Sequence, residues 1–413
     1  MAQVRDMAER LWTGAETTHA LQPVSLILGL EQYQDGLAFV SSFGNLAVLS
    51  TREGMALLDT GSFFMAGQTH ASVREWSEQP LRLAVYTHGH VDHAFGVGPF
   101  DAEAREKGIA LPEVVAHEAV VERFERYQLT AGYNRVINAR QFGASAWPTD
   151  YRMPDRTYRD RLELTLGGER LELRHARGET DDHTYIWLPE RKVLCTGDLF
   201  IWASPNCGNP QKAQRYPRDW ARALRDMRAL GPELLFPGHG LPIEGADRVA
   251  QALDETAELL EILVEATLSR MNAGLPLEKI LAEVRVPEHL LSRPYLRPVY
   301  DEPEFIVRNL WRLYGGWWDG NPAHLKPARE ADVAREIVRL AGGVDAVVAR
   351  AAQLGDSGDL ALATHLIEVA YDSEPTNAEV KRVRASLYAR RSDSETSLMA
   401  RNIFRSVAEE SSR

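Results

Sequence analysis

Over the first 245 residues, short apolar runs alternate with polar breaks. LAVLST, MALLDTG, LAVYTH, TYIWLP and KVLCTGD are bounded by Gly, Asp or Pro, the pattern of strands. NLAVLSTREGMALLDTG reads as a hairpin with its turn near Arg52–Gly54. Between strands, HEAVVERFERYQL and PRDWARALRDMRAL carry apolar residues at helical spacing. Strands and helices that alternate in this way predict a layered α/β domain.

After residue 245 the period changes. Val249, Leu253, Leu260, Leu263, Leu268 and Met271 follow helical spacing up to Asn272-Ala273-Gly274, a helix-ending signal. LEKILAEV and EPEFIVRNLWRLYGGWW are further helical patterns, and Lys326–Arg329 reads as a joint before a charged, helix-rich end. The pattern divides the chain into an α/β part, 1–245, a helical part, 246–335, and a helical C-terminal segment, 336–413.

The length, 413 residues, suits two or three such parts. Lys and Arg number 47 against 59 Asp and Glu, a net charge of −12 without basic runs, which argues against a nucleic-acid partner. No apolar run approaches the roughly 20 residues that span a bilayer, so no membrane partner is expected. The N-terminus lacks the apolar stretch of a secretory signal. Two cysteines, Cys195 and Cys207, exclude a disulfide framework and suit the cytoplasm. Cys195, inside VLCTGD, is expected to be buried.

The histidines change the picture most. YTHGHVDHAFG places His88, His90, Asp92 and His93 directly after a strand. Two imidazoles two residues apart can close on one metal ion. The Asp and the next His then point to a second ion beside it, and zinc and similar ions accept this mix of nitrogen and oxygen. His117 and His175 lie off the pattern and read as structural.

With these residues the chain resembles the metallo-β-lactamase superfamily, whose hallmark is HxHxDH after a strand. The resemblance covers roughly residues 25–245. It assigns Asp59 of LLDTG to a structural turn, Asp198 of KVLCTGD to a bridging carboxylate and His239 of LLFPGHG to the last ligand. In HARGETDDHTYIWLP, Glu179 stands where most of the superfamily has a His ligand, and His183 is expected to support the ligands from behind. A glutamate ligand is a feature of the alkylsulfatase branch. That branch also bridges with Glu, whereas this chain has Asp198. YDEPEFIVRNLWRLYGGWWDGNPAHLKP resembles the alkylsulfatase dimerisation domain, with a turn at Gly316–Pro322 pinned by Trp317 and Trp318. The sterol-carrier-like module of larger alkylsulfatases is not expected here.

The resemblance implies an αββα sandwich followed by an all-α dimerisation domain and a helical C-terminal segment. It implies two zinc ions, or Mn or Fe in their place. His88, His90 and Glu179 would hold one, and Asp92, His93 and His239 the other, with Asp198 bridging. Asp92 and Asp198 are the catalytic carboxylates, and a hydroxide between the metals is the nucleophile on a sulfate ester or related small ester. A lactonase, thioesterase or β-lactam-type hydrolase on the same site is the alternative. A one-iron dioxygenase or a non-catalytic binding protein would need fewer ligands than are present. Counting from Asp198, Asn206 falls at the sulfate-holding Asn of alkylsulfatases. Their Arg falls at Gln211, with Lys212 adjacent and Arg215 close by. Asn206, Lys212, Tyr133, Asn134, Asn138 and Arg140 are the candidate substrate contacts. Phe200 and Trp202 are expected in the core. The expected partners are a small-molecule substrate and a second copy of the chain, joined through the helical part.

Overall fold

Thirteen strands form two sheets in a computed structural model that describes residues 3–18, 21–144 and 146–412. The first sheet takes its strands in chain order: β1 (Gly29–Gln34), β2 (Leu37–Ser41), β3 (Leu46–Thr51), β4 (Gly54–Leu58), β5 (Leu81–Val85), β6 (Glu113–His117) and β7 (Arg156–Tyr158). β1 to β4 pair antiparallel, and β4 to β7 pair parallel. The predicted hairpin is β3–β4, with Thr51 opposite Gly54. The second sheet holds β8 (Arg161–Leu166), β9 (Glu169–His175), β10 (Thr184–Leu188), β11 (Val193–Ile201), β12 (Leu234–His239) and β13 (Ile243–Glu244). It is antiparallel except for β11–β12.

Alternation along the strands decides which layer each residue serves. Val48, Leu57, Ala84 and Val114 share a cluster with Val73, Phe100, Val120 and Phe124. Those last four lie on helices Ala66–Trp76, Gly98–Lys107 and Ala119–Leu129, so the helices cover one face of the first sheet. The opposite face meets the second sheet, where Phe39 of β2 packs on Phe236 of β12 with ring centres 5.1 Å apart. Tyr33 stands edge-on to both rings. Behind the second sheet, helix Pro217–Ala229 donates Trp220 Nε1–H to the Leu199 carbonyl at 2.8 Å. Helix Ala246–Asn272 packs on it, with Arg225 bonded to Asp254 and Glu261. The result is helix, sheet, sheet, helix. Every residue of β4 and β11 is buried, which explains why their sequences run apolar without alternation.

The chain forms two compact units. One comprises Met1–Asn134, Ala146–Leu275 and Ile280–Tyr314, and the other Arg135–Ser145, Pro276–Lys279 and Gly315–Arg413. The long helix ends at Asn272 as its sequence predicts, and Gly274 takes the left-handed φ of 76°. The second unit is helical. Val338, Val347, Ala351, Ile367, Val380 and Leu387 form its core. Four of its helices start on side-chain caps, from Asn321, Asp359, Asn377 and Ser397. The Asp319–Asn321 turn differs from expectation. Trp318 Nε1–H holds the Asn321 carbonyl at 2.8 Å and Asp319 Oδ1 accepts Asn321 N–H at 2.9 Å. Trp317 is 73% exposed and pins nothing, because the turn closes through local hydrogen bonds. No helix of the described residues is long and apolar enough to cross a membrane.

Phe236→Ala removes the ring on which Phe39 and Tyr33 converge, and the expected cost is about 3–5 kcal/mol. Urea unfolding followed by tryptophan fluorescence should show the lowered midpoint. An unchanged midpoint would mean that this contact does not hold the two sheets together.

Candidate metal centre

The loop after β5 is shaped from below by Asp59, the residue after β4. Asp59 adopts φ of 70°, a region that non-glycine residues seldom occupy. Its carboxylate repays the strain. Oδ1 accepts Thr60 N–H at 2.9 Å, and Oδ2 takes Thr87 Oγ1–H at 2.8 Å and His93 Nδ1–H at 2.6 Å. The Thr87 hydroxyl has one proton and gives it to Asp59, so it accepts from His88 Nδ1 at 3.0 Å. Both imidazoles thereby carry hydrogen on Nδ1 and present a bare Nε2. Thr60 Oγ1–H bonds the His93 carbonyl at 2.6 Å, and a Cβ on Gly96 would sit 1.6 Å from the Thr60 oxygen. The loop closes on Asp-Thr-Gly only because residue 96 lacks a side chain.

Of the other ligand-type residues, Glu179 lies in the loop after β9, Asp198 inside β11 and His239 at the end of β12. Asp182 Oδ2 accepts Gly89 N–H at 3.0 Å between the first two histidines, and Arg123 Nε bonds the same oxygen at 2.6 Å. Arg123 reaches Asp181 as well. His183 Nε2 accepts Asp198 N–H at 3.0 Å, and its ring stacks on His88 at 4.5 Å. His239, at the end of β12, donates Nδ1–H to the Val24 carbonyl at 3.1 Å, leaving its Nε2 free to face inward.

These atoms converge. His88 Nε2 lies 2.8 Å from His90 Nδ1. Glu179 Oε2 lies 3.5 Å from the first nitrogen and 3.3 Å from the second. In a neighbouring triple, His239 Nε2 lies 3.3 Å from both His93 Nε2 and Asp92 Oδ2. Asp198 faces both triples: Oδ1 is 3.2 Å from His93 Nε2, and Oδ2 is 3.6 Å from His239 Nε2 and 3.9 Å from His88 Nε2. A tetrahedral ion with bonds of about 2.1 Å spaces its ligands about 3.4 Å apart. The donor set fits such an ion in each triple. Glu179 Oε2 and Asp198 Oδ1 are buried without a hydrogen bond, a costly state for a carboxylate that a cation relieves.

The electrostatics agree. Burial pushes both His88 and His90 well below the usual histidine range, helped by neighbouring imidazoles and Arg123 at His88 and by Arg123, Arg215 and Lys212 at His90, so both stay in the neutral, ligand form. Burial also raises the Glu179 carboxyl, with Asp198 and Asp92 adding to the rise and Arg215 opposing it. Burial opposes charge on His93 too, but Asp198, Asp59 and Asp92 outweigh it and raise that imidazole well above its usual value. The crowding of Asp92, Glu179 and Asp198 behind these shifts is what a divalent cation would relieve.

The candidate substrate residues divide. Asn206 is buried, and its Nδ2–H donates to Glu179 Oε1. Lys212 lies with its ammonium 5.7 Å from the Trp147 ring, and burial beside Arg215 brings it down to about 8. Tyr133 is 61% exposed, and Asn134 Nδ2–H bonds back to Thr130 Oγ1 at 2.8 Å from the first turn of helix Ala131–Phe142. Asn138 and Arg140 belong to the second unit. Phe200 and Trp202 are core residues, and both cysteines are buried free thiols. His117 and His175 stack on each other at 3.7 Å. Sequence reasoning missed the work of Arg215, which is buried and donates to Glu179 Oε1 at 3.1 Å and to the Asn206 carbonyl at 3.2 Å. It also missed Arg123 with Asp182. Nothing in their local sequence sets them apart from surface charges.

Comparison with known proteins accords with this geometry. Residues 42–239 match the metallo-beta-lactamase superfamily model, and residues 277–413 match the alkyl sulfatase dimerisation model. The fold and the site thus define a metallo-beta-lactamase domain over these residues, of a superfamily whose members bind divalent metal. Together the two matches resemble the arrangement of the alkylsulfatase-like branch. A linear primary-alkylsulfatase of Pseudomonas sp. (strain ATCC 19151) is 27% identical over 83% of this chain and 69% of its own length. An (R)-specific secondary-alkylsulfatase of Pseudomonas sp. is 26% identical over 83% of this chain and 56% of its own. The structure of the stereoselective inverting sec-alkylsulfatase Pisa1 from Pseudomonas sp. superposes with a TM-score of 0.82 at 24% identity, covering 93% of this chain and 65% of that one. The chain thus spans between about half and about two thirds of the length of these relatives.

Asp182→Ala strands the buried Arg123 guanidinium and frees Gly89. The expected loss is about 3–5 kcal/mol, the cost of breaking a buried ion pair from one side. Adding Arg123→Met should recover part of it. Equal unfolding midpoints for the wild type and Asp182→Ala would refute this role.

Proposed function

We propose that this chain is a binuclear metal-dependent hydrolase of sulfate esters of small organic alcohols. The observation that carries the reading is Asp198, whose oxygens lie within 3.2–3.9 Å of donor atoms in both triples. His88, His90 and Glu179 form one metal site, and Asp92, His93 and His239 the other, with Asp198 shared. Zinc suits this donor set best, and manganese or iron are the alternatives. Two bound divalent ions supply a water activated at neutral pH and a Lewis acid for the ester oxygens.

The protein's own groups do the rest. Asp92 is the most accessible of the three ligand carboxylates, at 21% side-chain exposure. It orients the attacking water and takes its proton. Lys212 supplies positive charge for an anionic ester. Asn206 acts through Glu179, to which its amide is committed. Tyr133 and Asn134 remain part of the proposal only as candidate contacts to the organic group. The sulfate ester comes from the relatives, which are named alkylsulfatases. The proposal also divides the chain functionally into a catalytic part, 1–245, a helical dimerising part, 246–335, and a C-terminal segment, 336–413. It includes a homodimer, supported by the dimerisation match. It further includes a reducing, cytoplasmic setting, which suits two buried free thiols.

A lactonase, thioesterase or β-lactam-type activity is the second reading. Gln211, in place of a sulfate-holding Arg, and the commitment of Asn206 to Glu179 favour it. Zinc-loaded protein tested on primary and secondary alkyl sulfates, lactones and thioesters separates the two. Release of free sulfate is the expected result. Turnover confined to lactones or thioesters would transfer the assignment. His90→Ala should bind one fewer metal ion per chain by elemental analysis and lose nearly all turnover. Full metal content with full activity in that variant would sink the ligand assignment.

A further inference from the structure

Glu179 places a negative charge where the resembled superfamily has a neutral imidazole. The structure puts a positive charge directly behind it. The Arg215 guanidinium is 3% exposed and donates Nη2–H to Glu179 Oε1 at 3.1 Å, while Nε–H is held by the Asn206 carbonyl. Asn206 Nδ2–H bonds the same Oε1. With Oε1 occupied twice, only Oε2 is left to face His88 and His90. The carboxylate is thus presented to a metal through one oxygen, as an imidazole presents one nitrogen. Glu179 and Arg215 together carry no net charge.

Arg215 is fixed from behind by a segment distant in sequence. Asn309, on helix Pro303–Gly315, pairs with the Arg215 backbone: Nδ2–H donates to its carbonyl at 3.1 Å, and Oδ1 accepts its N–H at 3.4 Å. Asp301 Oδ2 accepts Gly208 N–H at 2.5 Å. Gly208 lies so close to that helix that a Cβ would meet the Phe305 carbonyl carbon at 2.2 Å. The loop carrying Asn206 and Arg215 is thereby clamped at both ends.

We propose that Arg215 is a positioning residue and built-in countercharge that makes Glu179 an acceptable substitute for imidazole, held in place by Asn309 and Asp301. The inference rests on the metal-site reading above. Its consequence is a coupling between two positions. Restoring the more usual ligand by Glu179→His leaves the buried Arg215 charge facing a divalent ion with nothing between them, so the substitution should weaken binding.

The test is a double-mutant cycle on the full chain, read as zinc affinity by competition with a chromophoric chelator. Glu179→His should lose about tenfold or more in affinity, the scale of one uncompensated buried charge. Adding Arg215→Met should recover most of that loss. Adding Arg215→Lys, which keeps the charge, should not. Zinc bound by Glu179→His as tightly as by wild type would overturn the inference. So would equal recovery with Lys and Met, because shape rather than charge would then be responsible. The last two variants share one background, so their comparison survives if Arg215→Met alone fails to fold. The wild type is measured first. If it binds no zinc, the functional reading falls and takes this inference with it. If it binds two ions and the cycle shows no coupling, only the countercharge falls.

Discussion

The whole metal centre hangs from one buried carboxylate. Asp59 joins the end of β4 to the loop after β5 through His93 and, by way of the Thr87 hydroxyl, to His88. This chain of hydrogen bonds fixes the tautomers of two imidazoles from two sides of the cluster. Without it their rings are free to rotate, and the inward Nε2 atoms no longer share a centre. The strained φ of Asp59 and the missing side chain at Gly96 follow from this arrangement. Both let the backbone bring the carboxylate under the loop.

A second constraint is charge. Asp59, Asp92, Glu179 and Asp198 are buried or nearly so within one cluster, which is tolerable only with compensation. Asp198 with Asp92 raises His93 and His239 against the burial that opposes their charge, and a cation held on their bare Nε2 atoms would stand where a proton would. Arg215 carries part of the compensation, and the oxygens left without partners are those that a divalent cation would relieve. Arg123 does the same for Asp181 and Asp182 behind the loop. The acidic balance of the chain therefore says little about the pocket, where each acid has a designated partner.

The reach of the sequence is clearest where chemistry is local. His88, His90, Asp92 and His93 lie within six positions after a strand, and glycine-bearing motifs mark Asp59 just past β4, Asp198 inside β11 and His239 at the end of β12. The periods of two and of 3.6 in the apolar pattern mark the α/β part and the helices after it. The Asn272–Gly274 stop was legible because a left-handed glycine at a helix end is a local requirement. Trp317 was misread, because an aromatic beside a turn gives no sign of which way its ring faces.

By itself, then, the sequence determined the strands, the helices and the identity of the metal-type donors, since each depends on neighbours along the chain. The tertiary structure alone decided how those donors are aimed and balanced. Arg215 reaches Glu179 across 36 positions, Arg123 reaches Asp182 across 59, and Asn309 supports Arg215 across 94. An arginine bound to a ligand and an arginine in solvent have the same local sequence. They differ only in what the fold brings against them, and burial is what turns such a contact from a weak surface pair into a determinant of the site.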